Sequence, residues 1–155
     1  SYYSYKNKPE MNISQGLKKK NKLAKEAQDA FNKVNQYNSV RTGSTRPYVI
    51  GELFEKYSKK TAELVALKTQ IHVASEPVRA KIFELSELKS MASQVTRLNV
   101  NQGIITDGYR MNSTEVEYEV ILDVIWKDNQ IKEYETKIEA IQDELDLFNH
   151  ATQLV

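Results

Sequence analysis

The last third of the chain carries an apolar stripe, and this stripe constrains the fold more than any other feature of the sequence. Residues 114–148 contain no Pro or Gly, and their apolar positions recur at alternating steps of four and three, broken only at Lys127. The stripe comprises Val120, Val124, Ile131, Tyr134, Ile138, Ile141, Leu145 and Phe148. Such a seven-residue repeat is typical of the seam of a long packed helix. Because a stripe along roughly 50 Å of helix cannot face water alone, the rest of the chain or another copy must cover it.

The residues before this stripe show helical spacing of apolar positions in three further segments. Asn12 and Gln15 form a capping-box pattern at the start of the first helix, which we expect to run to about Tyr37. Pro47 suits the first turn of the second helix. Pro77 disfavours helical geometry in the residue before it, so it predicts a break between the second helix and the third.

A turn-rich stretch, residues 99–113, separates the third helix from the last one. Gly103 and Gly108 bracket β-branched residues there, a pattern that predicts a short loop or β-hairpin. We expect one of these glycines at positive φ, because the chain changes direction between two helices. Thr114 and Glu117 match a second capping box, which predicts that the last helix begins at that point.

These patterns predict an all-α fold, an antiparallel long-helix bundle or a set of coiled-coil-like hairpins, with the loop or β-hairpin inserted near residues 99–113. Five Gly and three Pro in 155 residues favour long uninterrupted helices. Residues 1–11 are expected to form an extended N-terminal arm and residues 12–155 a single helical domain. Leu154 and Val155 suggest a tail that docks after the last helix.

Signals for catalysis or metal binding are nearly absent from the sequence. The chain has no Cys, which excludes disulfides, thiolate nucleophiles and Cys-based metal sites. His72 and His150 belong to no metal-ligand motif, and no phosphate-binding glycine loop or nucleophile elbow is present. We therefore expect a non-enzymatic protein with no catalytic residues, no metal site and no cofactor. No run of about 18 apolar residues occurs, so no membrane span is predicted.

Charge is spread unevenly along the chain. Residues 1–48 hold ten Lys or Arg against three Asp or Glu, whereas residues 113–155 hold three Lys against eleven acids. The basic residues that stand closest together are Lys18, Lys19, Lys20, Lys22 and Lys25. They are candidates for contact with an anion such as a phosphate. We expect them to wrap around the first helix, and pairing with the acidic last helix or plain solvation is the simpler interpretation.

Two sets of residues are candidates for contacts between copies. Tyr2, Tyr3 and Tyr5 lie in the predicted arm, and tyrosine offers a large apolar area with a polar tip. This arm is either a disordered tail or a segment that docks on a neighbour. The second set lies on the stripe of the last helix: Ile131, Ile138, Leu145 and Phe148. We expect Ile131, Ile138 and Leu145 to be buried.

The second half of the chain resembles a small, functionally uncharacterised helical family described as septicolysin-like. The residues concerned are the run Glu-Leu-Ser-Glu-Leu-Lys at 84–89, the run Val-Thr-Arg-Leu-Asn-Val-Asn at 95–101, and the tail Asn-His-Ala-Thr-Gln-Leu at 149–154. His150 stands where the family prefers an aromatic residue, and the lysine-rich start departs from the family. The resemblance implies an antiparallel helical fold and oligomers, and it implies no known activity.

The leading hypothesis is a non-enzymatic structural or protein-interaction module that self-associates through long amphipathic helices. Its expected partners are further copies of itself or another protein. A larger assembly such as a phage particle is one setting for it, in the cytoplasm or in a particle assembled there. The alternative is a nucleic-acid-binding accessory protein that uses the basic first helix. Salt-dependent retention on DNA or RNA distinguishes the two.

Overall fold

The protein is mostly helical, with one small antiparallel sheet. The computed structural model describes residues 10–107 and 114–155. The elements in chain order are α1 (Ile13–Tyr37), α2 (Ile50–Ala74), a 3-10 turn (Glu76–Val78), α3 (Arg79–Thr96), β1 (Gly103–Asp107), β2 (Thr114–Tyr118) and α4 (Val124–Ala151). The chain divides into two compact units. Unit 1 comprises Ser1–Arg79 and Asp146–Val155, and unit 2 comprises Ala80–Leu145.

Unit 1 is built on an antiparallel hairpin of α1 and α2. The Asn12 side chain accepts a hydrogen bond from the Gln15 backbone N–H at 2.8 Å, and the Gln15 side chain accepts one from Asn12 in return. This confirms the predicted capping box, which satisfies two otherwise unpaired donors at the start of α1. Cross-helix contacts fix the pairing of the hairpin. The Phe31 and Tyr57 rings lie 5.1 Å apart, and Lys60 forms an ion pair with a carboxylate of α1 at 3.0 Å.

Small residues line the seam between α1 and α2. Gly16, Ala27 and Ala30 are all buried on α1, and Leu67 is the buried residue of α2. A small residue at a helix contact lets the two axes approach, because little side chain separates the backbones. The two helices therefore approach each other closely. The larger buried residues of unit 1 are Ile13 and Leu23 on α1 and Leu67 on α2.

The connections at both ends of α2 bear on two predictions about proline. Pro77 lies in the 3-10 turn, and α3 begins after it at Arg79, so the predicted break is confirmed. Pro47 does not lie in the first turn of α2, since that helix begins at Ile50 with Val49 at its N-cap. The prediction for Pro47 was wrong by three residues, because φ preference alone does not fix where a helix starts.

Unit 2 pairs α3 with the greater part of α4. Lys81, near the start of α3, forms an ion pair with Glu144, near the end of α4. At the other end, the Lys127 ammonium donates to the Leu98 carbonyl at 3.2 Å. The two helices are therefore antiparallel. Lys127, which interrupts the apolar stripe, satisfies a carbonyl that the end of α3 leaves without a helical partner.

The β-hairpin extends further along the chain than the sequence indicated. β1 and β2 are antiparallel, with Gly103 opposite Tyr118 and Ile105 opposite Val116. Gly103 has φ of +81°, which confirms a predicted turn glycine. Gly108 lies outside the described residues. The two strands of the expected insertion near residues 99–113 thus lie at Gly103–Asp107 and Thr114–Tyr118, and the second strand takes residues that the sequence assigned to the last helix.

Candidate interaction surface

The start of α4 sets the position of the candidate surface. The Asp123 carboxylate accepts a hydrogen bond from the Trp126 backbone N–H at 2.8 Å, so Asp123 caps the helix. The capping box predicted at Thr114 and Glu117 is wrong, because both residues belong to strand β2. A strand alternates its faces every residue, whereas a helix repeats every 3.6, so this shift re-aims the apolar side chains before Val124.

Residues 116–126, here called the hairpin–helix segment, expose an unusual amount of apolar surface. Seven of these eleven residues are large hydrophobic residues that remain exposed: Val116, Tyr118, Ile121, Leu122, Val124, Ile125 and Trp126. Ile121 is 96% exposed. Scattered single hydrophobic residues are normal at a protein surface, but a concentration of them marks a binding surface.

The same segment is acidic. Glu117, Glu119 and Asp123 lie within it, and the sequence has no Lys or Arg between Arg110 and Lys127. The hydrophobic residues are therefore interleaved with negative charge only. A partner for this segment would need apolar area for the hydrophobic residues and positive charge for the carboxylates.

A groove adjoins the segment at the base of the hairpin. It has a volume of about 350 Å³ and is lined by Leu98, Asn99, Asn101, Tyr118, Glu119, Val120, Ile121 and Leu122. Its lining combines aliphatic side chains and a tyrosine with two asparagines and a carboxylate. Such a mixture suits a side chain with an apolar body and a polar tip.

The predicted stripe of α4 is covered to different degrees along its length. Leu145 is buried, as expected, whereas Ile131 and Ile138 are only half-buried, so the expectation of burial was wrong for these two. Phe148 is also half-buried. One neighbouring helix cannot enclose a stripe, because an antiparallel pair leaves the outer flank of its seam open to solvent. Tyr2, Tyr3 and Tyr5 lie outside the described residues.

The five lysines of α1 are mostly solvated. Lys18, Lys19, Lys22 and Lys25 are exposed and Lys20 is half-buried. Residues 18, 22 and 25 are spaced four and three apart on a continuous helix, so they share one face. Lys19 and Lys20 lie at other angles around the helix, so the five lysines together do not share one face. Lys22 lies 3.9 Å from Glu26 on the same helix.

In unit 1, the tail after α4 docks on the start of α1. The Ile13 backbone N–H donates to the Thr152 carbonyl at 2.9 Å, and the Leu154 N–H donates to the Met11 carbonyl at 2.8 Å. A Cβ added at Gly16 would lie 2.7 Å from the Leu154 side chain. The absence of a side chain at Gly16 therefore leaves room for Leu154. The predicted docking tail is confirmed for Leu154, but Val155 is fully exposed.

A serine and a histidine meet at this docked end. Ser14 Oγ lies 3.1 Å from His150 Nδ1, and the same nitrogen lies 2.8 Å from the Asp146 carbonyl oxygen. A carbonyl only accepts, so Nδ1 carries the proton and donates it to that oxygen. Nδ1 then has no lone pair to take the hydroxyl proton of Ser14. His150 therefore satisfies a carbonyl near the C-terminal end of α4. It is not placed to activate Ser14 as a nucleophile.

One cross-helix ion pair perturbs the titration of its members. The hydrogen bond from Lys60 lowers the pKa of Glu26 below its ordinary value, with the charges of Lys60 and Lys22 adding to the effect. The same hydrogen bond raises the pKa of Lys60. Both side chains keep about a third of their surface exposed, so solvent screens the pair. The pair helps to align α1 with α2.

Two other kinds of site are absent from the residues that the structure describes. Across residues 10–107 and 114–155, no three acidic or histidine side chains lie close enough to hold a metal ion. No helix in that part of the chain combines the length and the apolar content of a membrane span.

Comparisons with protein-family models, curated proteins and solved structures found no match for the chain. The resemblance of residues 84–155 to the septicolysin-like family therefore stays a prediction. The hairpin–helix segment could have been found in the sequence, since Thr114–Tyr118 alternates polar and apolar residues and Asp123 stands directly before a helical repeat. The heptad spacing of the residues that follow concealed both signals.

Proposed function

We propose that this protein is a non-enzymatic structural module that self-associates, and that the hairpin–helix segment is the centre of its contact surface. The observation that carries the proposal is that unit 2 buries few apolar side chains and leaves many large hydrophobic residues exposed. Its described residues bury four apolar side chains: Leu85, Leu88, Ile141 and Leu145. The same unit leaves eleven large hydrophobic residues exposed, and most of them lie in or next to the hairpin–helix segment.

Association would stabilise such a unit in the usual way. Removing apolar surface from water contributes roughly 25 cal/mol for each Å² buried. The hairpin–helix segment ends in the first turn of α4, and the half-buried residues Ile131 and Ile138 lie further along the same helix. A partner that covers the segment can therefore also cover these two isoleucines. Symmetric contacts between copies are the commonest form of association in soluble proteins. A place in a larger assembly, such as a phage particle, belongs to the same proposal.

Replacement of Ile121 by Asp tests the proposal directly. Ile121 is 96% exposed, so Ile121→Asp should leave the melting temperature of the dilute protein unchanged. If Ile121 lies in the contact surface, the new charge would be buried against apolar groups and association should weaken by at least ten-fold. The matched control is Val65→Asp, at a position of α2 that is 60% exposed. Equal effects of the two variants on association, measured by sedimentation velocity, would contradict the assignment of the surface.

The alternative function, binding of nucleic acid through α1, has one observation in its favour. Lys18, Lys22 and Lys25 form an exposed basic face, and positive charge on one face is the electrostatic requirement for contact with a phosphate backbone. A triple change of these residues to Gln should then abolish retention on single- or double-stranded DNA at low salt. If wild-type protein shows no salt-dependent retention, this function is excluded.

A further inference from the structure

The outer edge of β2 is available for a further strand. Among the described residues, β2 pairs with β1 alone in a two-stranded sheet. All five of its residues, Thr114–Tyr118, are exposed. A two-stranded sheet is marginally stable by itself, and a free edge presents unpaired N–H and C=O groups that another extended segment can pair with.

The two faces of the hairpin differ in chemistry. Residues opposite each other in an antiparallel pair project to the same side, so Val116 shares a face with Ile105, and Tyr118 continues that face. Glu115 and Glu117 project to the other side. The complement of β2 is therefore a strand that carries apolar side chains on one face and basic side chains on the other.

Residues 3–8 of this chain have that pattern. In an extended segment, Tyr3 and Tyr5 fall on one face, while Lys6 and Lys8 fall on the other. Tyrosine is among the residues favoured in strands. The segment also carries the charge that the hairpin–helix segment lacks, since it holds two lysines and no acid.

One antiparallel register places both lysines opposite glutamates within β2 itself, Thr114–Tyr118. The opposed residues in this register are Lys6 with Glu117, Lys8 with Glu115, and Tyr5 with Tyr118. Opposite charges placed directly across two strands stabilise the pair, as do paired aromatic rings. The next residue along, Pro9, has no N–H to donate and would end the strand at Thr114. Tyr3 would reach the groove beyond Tyr118.

Pairing of β2 with a second β2 is the competing arrangement, and its charges oppose it. An antiparallel pair centred on Val116 places Glu115 opposite Glu117 on both sides of the centre. Like charges directly across a strand pair are destabilising. The acidic edge thus disfavours self-pairing of the hairpins and favours a basic strand.

We propose that residues 3–8 of a second copy pair with the outer edge of β2 as an antiparallel third strand, in the register that sets Lys6 opposite Glu117. The proposal rests on the self-association proposed above and specifies how one contact is made. The exchange of such segments between copies would add backbone hydrogen bonds to the apolar contact of the hairpin–helix segment.

Disulfide trapping tests the register, because the chain contains no Cys of its own. One full-length protein carries Lys6→Cys, and a second, lengthened by a tag, carries Glu117→Cys. Cα atoms of opposed strand residues lie about 5 Å apart, within the range that a disulfide spans. After mixing and mild oxidation, a disulfide-linked heterodimer should form, resolved by mass on a non-reducing gel.

The matched control replaces Val116 by Cys instead of Glu117. That position is one residue out of phase and projects to the opposite face, so the heterodimer yield should fall at least five-fold. Equal yields from the two pairs would overturn the register. A double variant with Lys6→Cys and Glu117→Cys in one chain tests where the third strand comes from. If its disulfide forms only within a chain, giving monomer mass alone, the strand does not come from a second copy.

Charge reversal supplies an independent readout. Lys6→Glu with Lys8→Glu should weaken association by roughly ten-fold, because two favourable cross-strand pairs become unfavourable. Adding Glu115→Lys and Glu117→Lys should restore most of the loss. If association persists in wild type but neither trapping nor charge reversal affects it, the strand proposal fails while self-association stands. If wild type is monomeric, the proposed function itself fails.

Discussion

The α1–α2 hairpin and the α3–α4 hairpin are both antiparallel helix pairs, but they bury apolar surface differently. The first buries small residues, Ala27 and Ala30, beside larger ones such as Leu23. The second relies on large residues, such as Leu88 and Ile141, and leaves much of its stripe half-buried. Two helices that approach closely cover the residues between them. Two helices that larger side chains hold further apart leave the flanks of their contact exposed to water. The helices α3 and α4 therefore leave more large hydrophobic residues exposed than α1 and α2 do.

The largest expected effect comes from a charged substitution at a buried position of α4, in the α3–α4 hairpin. Leu145 is 5% exposed, so Leu145→Asp would bury a charge without a partner and should cost roughly 4 kcal/mol or more of the free energy of unfolding. The control is Leu147→Asp on the same helix, where the side chain is 74% exposed. Urea unfolding should show a large loss for the first variant and little for the second. Similar losses would mean that the face of α4 has been misassigned.

A substitution on α1 tests how closely α1 and α2 approach each other. Ala27→Leu adds three carbon atoms between α1 and α2 and should cost roughly 1–3 kcal/mol by overpacking. Ala24→Leu makes the same change at an exposed position of α1 and should lie within about 0.5 kcal/mol of wild type. Stability of both variants follows from thermal unfolding. If Ala27→Leu is neutral, the two helices are not held closely at that point.

Two isoleucines of α4 distinguish burial within the chain from burial by a partner. Ile141 is buried and Ile138 is half-buried. Ile141→Ala should cost roughly 2–4 kcal/mol at any protein concentration. Ile138→Ala should cost roughly 1 kcal/mol in dilute protein. If association covers the side chain, as proposed, this cost should grow with protein concentration. A cost for Ile138→Ala that does not change with concentration would remove this position from the contact surface.

The smallest expected effect concerns the ion pair that links α1 to α2. A lowered pKa of Glu26 stabilises the folded state above the ordinary carboxylate pKa, and that contribution is lost as the pH falls through the folded value. A raised pKa of Lys60 stabilises below the ordinary lysine pKa, and that contribution is lost as the pH rises through the folded value. Lys60→Met should therefore reduce the loss of stability between pH 7 and pH 3. Lys59→Met, at an exposed neighbouring position, should leave that loss as it is in wild type.

Much of the helical architecture could be predicted from the sequence, since it follows from local signals. The Asn12 capping box, the break at Pro77 and the positive φ of Gly103 each depend on a few neighbouring residues. The start of α4 was misplaced because Thr114 and Glu117 satisfy a capping pattern and also a strand pattern. The pairing with β1 decides between the two, and pairing is not a local property.

The exposed part of the candidate surface was harder to predict. Apolar spacing shows which residues share a face, and it does not show how much of that face one neighbouring helix can cover. Ile131 and Ile138 thus have the sequence spacing of core residues, but their side chains are only half-buried. The role of Gly16 was missed for a similar reason, since the contact with Leu154 joins residues far apart in the chain.

The mass of the wild-type protein in solution tests the central claim most directly. Sedimentation equilibrium from low to high micromolar concentration, at low and at high salt, should show a species larger than the 17.9 kDa monomer. High salt should weaken it only modestly, because the apolar segment supplies most of the affinity and charge mainly sets orientation. A protein that stays strictly monomeric at high micromolar concentration and low salt would contradict the account.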